Sequence, residues 1–293
     1  MLAQQLVNGV LLGATYALFA LGFTLMFGVL RVVNLVYGVY FTAGAFVALF
    51  LARDLGLALW LALPVAAVAA GAVAVPVDAL LLSRLRRTKA GELASLMVTL
   101  GAALALYAAL AALVGPDIQR LPPHLLPVSA IQVGSLRVGV AQLLIIGACA
   151  VLAGALLWLM RGTRVGLAIR AMAETPEAAE LVGINTGLLA ALVSFVSGAL
   201  AGAAGVLIGL AFNAVHPYMG EAMMLRGFAV IIAGGLGDIA GALVAGLVLG
   251  IAEVLTAGYF ASGLKEAVAF ALLVLVLWTR PSGLFGHAAP ERV

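Results

Sequence analysis

Residues 4–28 read QQLVNGVLLGATYALFALGFTLMFG, a stretch without any Asp, Glu, Lys or Arg. About 20 apolar residues are enough for a helix to cross the hydrocarbon core of a bilayer, so this stretch predicts a membrane span. Further apolar runs cover residues 35–52, 57–82, 91–114, 138–160, 187–212, 222–257 and 264–280. The sequence therefore predicts an all-α, polytopic transmembrane bundle of about eight spans, forming a single domain over residues 1–293.

The composition supports this class and excludes others. Charged residues make up 9% of the chain and hydrophobic residues 65%, whereas a soluble domain carries about 25% charged residues. We find none of the period-2 segments of a transmembrane β-barrel. The net charge of +3 is interpreted as basic loops beside anionic lipid, and nucleic-acid binding is not expected.

Two basic loops set the predicted orientation. Residues 83–89 (SRLRRTK) and 161–170 (RGTRVGLAIR) hold seven of the fifteen basic residues. By the positive-inside rule both loops are cytoplasmic. The proline-rich loop 115–137 lies between them along the chain and is therefore predicted to be periplasmic, irregular or extended, and the N-terminus to lie outside.

Two apolar segments contain interruptions. The run 222–257 is too long for one crossing and contains GGLGDIAGA at 234–242, where each glycine weakens a helix by about 1 kcal/mol, so we expect a break there. In the first half, RVVNLVYG at 31–38 places Asn34 between apolar segments, and the run 35–52 is either a span or a re-entrant piece. Interrupted segments in two halves of a chain point to a transporter's substrate site.

Residues 164–180, RVGLAIRAMAETPEAAE, form a charged island between apolar runs. Thr175 suits a helix N-cap, Pro176 a first turn and Gly183 the residue after the helix end. The pattern predicts a short, stiff helix that a partner protein can grip. The alternative is a solvated connecting loop with amphipathic character.

Charges and glycines inside the apolar runs also need a reason, because a charge at mid-helix costs about 3 kcal/mol on insertion scales. Asp78 is predicted to pair near the cytoplasmic interface, with Arg84 as the candidate partner. Glu253 suggests a subunit contact or a gating role. Small residues at helical spacing predict close helix packing, namely Gly198, Gly202, Gly205 and Gly209.

Four blocks now follow one another in order: NGVLLGATYALFALGFTLMFGVLRVVN, GLAIRAMAETPEAAELVGIN, RGFAVIIAGGLGDIAGALVAGLVLGIAE and RPSGLFG. Together they resemble the LivH-type permeases of the branched-chain amino acid ABC importers, from Asn8 to Gly286. The resemblance implies a non-catalytic subunit of the bacterial inner (cytoplasmic) membrane that works by alternating access. Its implied partners are the lipid bilayer, a homologous LivM-type permease in a heterodimer, two cytoplasmic ATPases and a periplasmic substrate-binding protein.

The resemblance also assigns residues. The cytoplasmic loop 161–186 becomes the ATPase-coupling loop, with Arg170, Glu174, Glu177, Ala178, Ala179, Glu180, Gly183 and Asn185 as its predicted coupling residues. The interruptions become the predicted substrate pathway, with Asn34, Tyr37, Gly38, Gly234, Gly235, Gly237 and Asp238. Where the family usually reads Asn-Phe-Ala-His-Gly, this chain has Leu35, Val36 and Tyr37 between Asn34 and Gly38. The sequence lacks a Walker A pattern and a metal-ligand cluster, so neither ATP hydrolysis, a metal nor another cofactor is expected.

Two alternatives stay open. An ABC permease with the same architecture can carry urea, short amides or another small polar metabolite. A stand-alone secondary transporter or channel needs no docking loop, but it needs intramembrane charges near the broken helices, where only Asp238 is close.

Overall fold

The computed structural model describes residues 2–88, 91–121, 130–133, 136–280 and 283–286. The helices are α1 (Leu2–Leu30), α2 (Tyr37–Arg53), α3 (Leu59–Val77), α4 (Ser83–Arg87), α5 (Glu92–Val114), α6 (Val140–Gly162), α7 (Arg164–Glu174), α8 (Pro176–Leu181), α9 (Thr186–Phe212), α10 (Met219–Gly234), α11 (Ile239–Tyr259) and α12 (Lys265–Thr279). A π-helical turn, Asp78–Leu82, joins α3 to α4, and a 3-10 turn, Ser262–Leu264, precedes α12. Strands β1 (Ala130–Val133) and β2 (Leu136–Gly139) pair in an antiparallel hairpin.

The predicted polytopic bundle is confirmed. Within the described residues, six helices are long and apolar enough to cross a membrane, and two shorter apolar helices accompany them, Tyr37–Arg53 and Ala267–Thr279. The predicted break in the run 222–257 is also present, because α10 ends at Gly234 and α11 begins at Ile239. The run 35–52 forms α2, which is only 17 residues long and mostly buried by other helices.

Helix α1 lies at the centre of the bundle. Of its most apolar window 83% is buried, against 17% for α5, which has few neighbours within the chain. Glycines let the central helices approach closely: Gly13 of α1 faces Gly250 of α11, and Gly44 of α2 faces Gly202 of α9. A Cβ atom on Gly13 would lie 2.8 Å from the Cα atom of Leu247. The predicted close packing of the glycine row on α9 is therefore confirmed, as expected where van der Waals contact drives helix association.

The carboxylate of Asp78 is buried and paired, but its partner is Arg86 and the predicted pairing with Arg84 is wrong. Two guanidinium nitrogens of Arg86 donate to the carboxylate oxygens over 2.7 and 3.1 Å. The π-helical turn between the two residues explains this pairing, because it has more residues per turn than an α-helix. Arg86, eight residues along, returns to the face of Asp78, while Arg84 is exposed.

Glu253 is also paired within the chain. Its carboxylate accepts a hydrogen bond from the Tyr16 hydroxyl over 2.7 Å and one from Nε of Arg226 over 3.1 Å. The residue is 1% exposed, so of the two roles predicted for Glu253 the direct subunit contact is wrong, while the gating role stays a prediction. The cluster joins α1, α10 and α11, and removing one partner of such a buried pair costs about 3–5 kcal/mol.

The N-terminal end of α1 lies beside the segment that precedes α6. The side-chain amide of Gln4 donates to the carbonyl of Arg137 over 2.9 Å and accepts from its N–H over 3.1 Å. In the described part of the loop 115–137, residues 130–133 and 136–137 are extended and Gln119 pairs with Val215; Pro122, Pro123 and Pro127 lie outside the described residues. The start of α1 and this loop thus share one side of the bundle.

Candidate functional site: a cavity beside a short charged helix

A cavity of about 1630 Å³ opens on the opposite side of the bundle, where α1 ends and the basic segments lie. Its wall combines the last turn of α1, residues 31–33, the end of α6, parts of α7 and α8, and the first turns of α9 and α11. The charged side chains on this wall are Arg31, Arg86, Arg161, Arg170, Glu177, Glu180 and Asp238. A wall with charges of both signs is suited to water and to small polar solutes.

Helix α7 forms one side of this cavity because its sequence is amphipathic. The hydroxyl of Thr163 caps its start by accepting from the N–H of Gly166 over 3.0 Å. Ile169 and Met172 are buried against the bundle, while Arg170 and Glu174 on the other face are exposed. The helix therefore lies on the bundle with a charged outer face, as expected for a surface helix.

Helix α8 begins and ends at the predicted residues. Pro176 occupies its first turn, and Thr175 precedes it, although the Thr175 side chain makes no capping hydrogen bond to a described residue. Gly183 has a φ of +84°, a left-handed conformation that glycine adopts without a Cβ penalty. Its N–H bonds to the Glu180 carbonyl and the N–H of Ile184 to the Ala179 carbonyl. These two bonds form a Schellman motif, which stops the helix sharply.

Side chains then fix α8 to α9. The hydroxyl of Thr186 donates to the Glu180 carboxylate over 2.6 Å. The side chain of Asn185 caps α9 by accepting from the N–H of Leu188 over 3.0 Å. Helix α8 is therefore bonded directly to a long, largely buried helix. Glu180 and Asn185, both predicted coupling residues, thus have structural roles at this junction.

The exposed surface of α8 is partly apolar. Glu177, Ala178 and Glu180 are exposed, whereas Ala179 is buried. The two residues at its end, Leu181 and Val182, are 88% and 77% exposed. Sequence reasoning did not single out these two, because their apolar character is equally typical of the span that follows. Their position beside charged residues at a helix end was the available signal, since such an exposed apolar pair suggests a contact with another protein.

The predicted pathway residues fall into two groups. Gly237 and Asp238 line the cavity together with Glu177 and Glu180 of α8. Asn34 is fully buried, and its side-chain oxygen accepts from the N–H of Val36 over 3.0 Å. The Tyr37 hydroxyl, also buried, donates to the Phe19 carbonyl over 3.1 Å. The assignment of these residues to the pathway stays a prediction.

The remaining predicted pathway residues are packing positions in this conformation. A Cβ atom on Gly38 would meet the backbone of Gly220, and one on Gly234 would meet that of Gly241. Gly235 has a φ of +111° and lies against Gly286. Only the cavity end of the second interruption therefore touches solvent, and the rest is enclosed by neighbouring helices.

Of the five buried hydroxyl groups without a partner among the described residues, three belong to a threonine and two serines to which sequence reasoning gave no role in transport. The side-chain oxygens of Thr24, Ser194 and Ser197 have no hydrogen-bond partner among the described residues. Thr24 belongs to the cavity wall, and Ser194 and Ser197 lie one turn apart on α9. Buried polar groups normally have partners, and only the Thr24 hydroxyl lies where the cavity could supply one. Serine and threonine are ordinary packing residues in membrane helices, which is why sequence gave no signal.

Comparison with known proteins identifies the family. Residues 5–277 match the family model described as the permease component of the branched-chain amino acid transport system. The chain is 33% identical to the permease protein LivH of Escherichia coli K12 over 99% of this chain and 97% of the relative. It is 34% identical to BraD of Pseudomonas aeruginosa, with the same two coverages. A probable LivH of Methanocaldococcus jannaschii is 30% identical over 92% of this chain and 88% of the relative.

No solved structure matches the chain, so the relatives and the geometry carry the assignment. The matches run through the apolar helices, the cavity wall and the α7–α8 segment alike. We conclude that the chain is a multi-pass membrane protein of the branched-chain amino acid transport permease family.

Proposed function

We propose that the chain is the permease subunit of an ABC importer that moves branched-chain or related amino acids into the cytoplasm by alternating access. The observation that carries the proposal is the position of α8: a short, sharply ended helix with exposed Leu181 and Val182, beside the mouth of the 1630 Å³ cavity. An ATPase gripping this helix acts directly on the cavity wall.

The partners follow from this arrangement and from the family. Two cytoplasmic ATPases dock at α8 and at its counterpart in a LivM-type permease, and a periplasmic binding protein delivers the amino acid. The subunit itself has no catalytic role, and the complex resides in the bacterial inner membrane. The α7–α8 segment faces the cytoplasm and the loop 115–137 the periplasm, because the basic residues concentrate on the cavity side.

The experiment compares two leucines of matched chemistry. Leu181→Asp places a charge on the α8 surface, while Leu55→Asp does the same at a 61% exposed leucine in the turn between α2 and α3. Each variant is assembled with the other importer subunits in proteoliposomes, and ATP-driven uptake of radiolabelled leucine is measured. Leu181→Asp should abolish uptake and ATPase co-purification, and Leu55→Asp should preserve both. Normal uptake by Leu181→Asp would exclude α8 as the docking site.

Orientation has its own test in a Cys149→Ala background. Arg120→Cys should react with an impermeant thiol reagent added outside, whereas Val182→Cys should react only after the membrane is permeabilised. Labelling of Val182→Cys from outside would reverse the proposed topology. Liposomes that hold this chain alone should show no leucine flux, and flux there would favour a stand-alone transporter.

A further inference from the structure

Arg31 has an unusual backbone conformation at the end of α1. Its φ is +51°, in the left-handed region, and its N–H bonds to the Phe27 carbonyl over 2.9 Å. Glycine or asparagine normally occupies this position after a helix, because a Cβ atom is strained there. Such strain persists where the surrounding structure requires the residue. The Arg31 side chain is therefore expected to make contacts that offset the strain.

The side chain reaches across the cavity wall to the end of α7. Nη2 of Arg31 donates to the carbonyl of Ala173 over 2.9 Å and to that of Glu174 over 3.3 Å. These carbonyls belong to the last turn of α7, where the helix leaves acceptors without internal partners. A guanidinium is favoured there by the negative end of the helix dipole. The next residue, Thr175, leads directly into α8.

On its other side, Arg31 begins the connection between α1 and α2. The hydroxyl of Thr99 on α5 donates to the Ser95 carbonyl of its own helix over 2.9 Å and lies 3.3 Å from the Val33 carbonyl. Asn34 then holds the N–H of Val36 at the start of α2. The connection thus contacts α5 and is stabilised by its own side chain before α2 begins, and residues 31–33 form part of the cavity wall.

We propose that Arg31 is a positioning residue that links the α7–α8 segment to the α1–α2 connection, so that movement of α8 is transmitted to the part of the cavity wall formed by the end of α1. The inference rests on the proposed function, because it is the ATPase that moves α8. It adds a second route to the one through α9: α8 displaces the end of α7, Arg31 follows, and the end of α1 moves with it.

The test uses substitutions that preserve the left-handed backbone conformation at position 31. Arg31→Gly and Arg31→Asn both tolerate the left-handed conformation but cannot reach α7, and Arg31→Lys retains a cation with fewer directed donors. Arg84→Ala is the matched control, since Arg84 is exposed on the same side and its guanidinium bonds to no described residue. In the assembled importer, Arg31→Gly and Arg31→Asn should lower leucine uptake about fivefold. They should leave subunit assembly and basal ATP hydrolysis intact while reducing the stimulation by leucine-loaded binding protein, and Arg31→Lys should fall in between.

Hydrogen exchange provides a readout that does not depend on transport. In the detergent-solubilised full chain, Arg31→Gly should speed exchange of the backbone amides in residues 171–184, whereas Arg84→Ala should not. Unchanged exchange and uptake in Arg31→Gly would overturn the inference, as would an equal loss of uptake in Arg84→Ala. If the unaltered importer neither moves leucine nor hydrolyses ATP, the proposed function fails, and the exchange measurement still decides whether Arg31 holds α7.

Discussion

The two interruptions of apolar helices in this chain use side chains and glycine torsions to different extents. The first, residues 31–36, is held by side chains: Arg31 reaches α7, and Asn34 holds the start of α2. The second, residues 235–238, relies on backbone torsions that only glycine adopts freely, with a φ of +111° at Gly235 and +87° at Gly237. The two meet in space, since a Cβ atom on Gly28, just before the first, would lie 3.2 Å from Gly237.

The two interruptions also differ in what surrounds them. The first interruption is bonded to α7, contacts α5 and is buried at its centre. The second packs on its inner side against residues 283–286, through bonds such as that from the N–H of Leu284 to the Ala233 carbonyl, and exposes Leu236 and Gly237 to the cavity. The second interruption therefore borders the cavity directly, whereas the first reaches it mainly through residues 31–33.

The largest loss of stability is expected in the second interruption, where two single glycine substitutions are compared. Gly235→Ala should destabilise the chain by about 3 kcal/mol, because the torsion is strained for alanine and the new Cβ atom would meet the Gly286 nitrogen at 2.6 Å. Gly237→Ala, whose new Cβ atom would be 3.6 Å from its nearest neighbour, should cost about 1–2 kcal/mol for the torsion alone. Thermal unfolding of the detergent-solubilised chain, followed by tryptophan fluorescence, measures both. Equal losses would show that packing at Gly235 contributes nothing.

The next largest difference between the two interruptions is expected in how fast an introduced cysteine reacts with a reagent in water. In a Cys149→Ala background, Leu236→Cys should react with a small water-soluble thiol reagent about a hundredfold faster than Asn34→Cys, because a buried thiol reacts only through local opening. Leu236 is 54% exposed and Asn34 is 0% exposed, and Leu236 avoids the strained torsion of Gly237. Reaction rates in inside-out vesicles give the comparison. Equal rates would place the first interruption in contact with water and contradict its description as a buried junction.

Composition predicted the bundle because each membrane span needs its own long apolar segment. The unfavourable helix propensity of glycine predicted the break before Ile239. The end of α8 was equally predictable, since Gly183 suits only a few helical positions. What depends on distant residues was not predictable. The partner of Asp78 is set by a π-helical turn that local propensity does not encode, and Arg31 finds its carbonyl acceptor 142 residues along the chain.

The burial of individual polar side chains was the other feature that could not be predicted from the sequence. A polar residue between apolar segments indicates that something must satisfy its side chain, but not whether that partner is a cavity or the chain itself. Asn34 uses the chain, through Val36, whereas Asp238 caps α11 and also borders the cavity. Both residues fit the same sequence pattern, and only the packing of α2 and α11 separates them.

The buried amide of the first interruption should give an intermediate effect. Asn34→Leu leaves the N–H of Val36 without an acceptor in a dry site and should cost about 2 kcal/mol. Asn185 makes the same kind of bond from an exposed position, so Asn185→Leu, where water replaces the acceptor, should cost about 1 kcal/mol. Thermal midpoints of the two variants measure the gap. A smaller loss at Asn34 than at Asn185 would mean that water reaches the first interruption.

The smallest effect is expected at Asp238, and it bears on the mechanism. Its carboxylate caps α11 by accepting from the N–H of Gly241 over 2.6 Å, so Asp238→Ala should lower stability by about 1 kcal/mol. Asp238→Asn keeps an acceptor at the same place and removes the charge, losing only the few tenths of a kcal/mol contributed by the helix dipole. In an ATP-driven importer the variant with asparagine should therefore retain leucine uptake in the assembled complex. A stand-alone transporter that used this carboxylate at the break as its ion-coupling group would instead lose uptake. Loss of uptake in Asp238→Asn at unchanged thermal stability would therefore assign the carboxylate a role in the pathway or in ion coupling, which the ATP dependence of uptake in the unaltered complex separates, and retained uptake would leave Asp238 as a helix cap at the cavity wall.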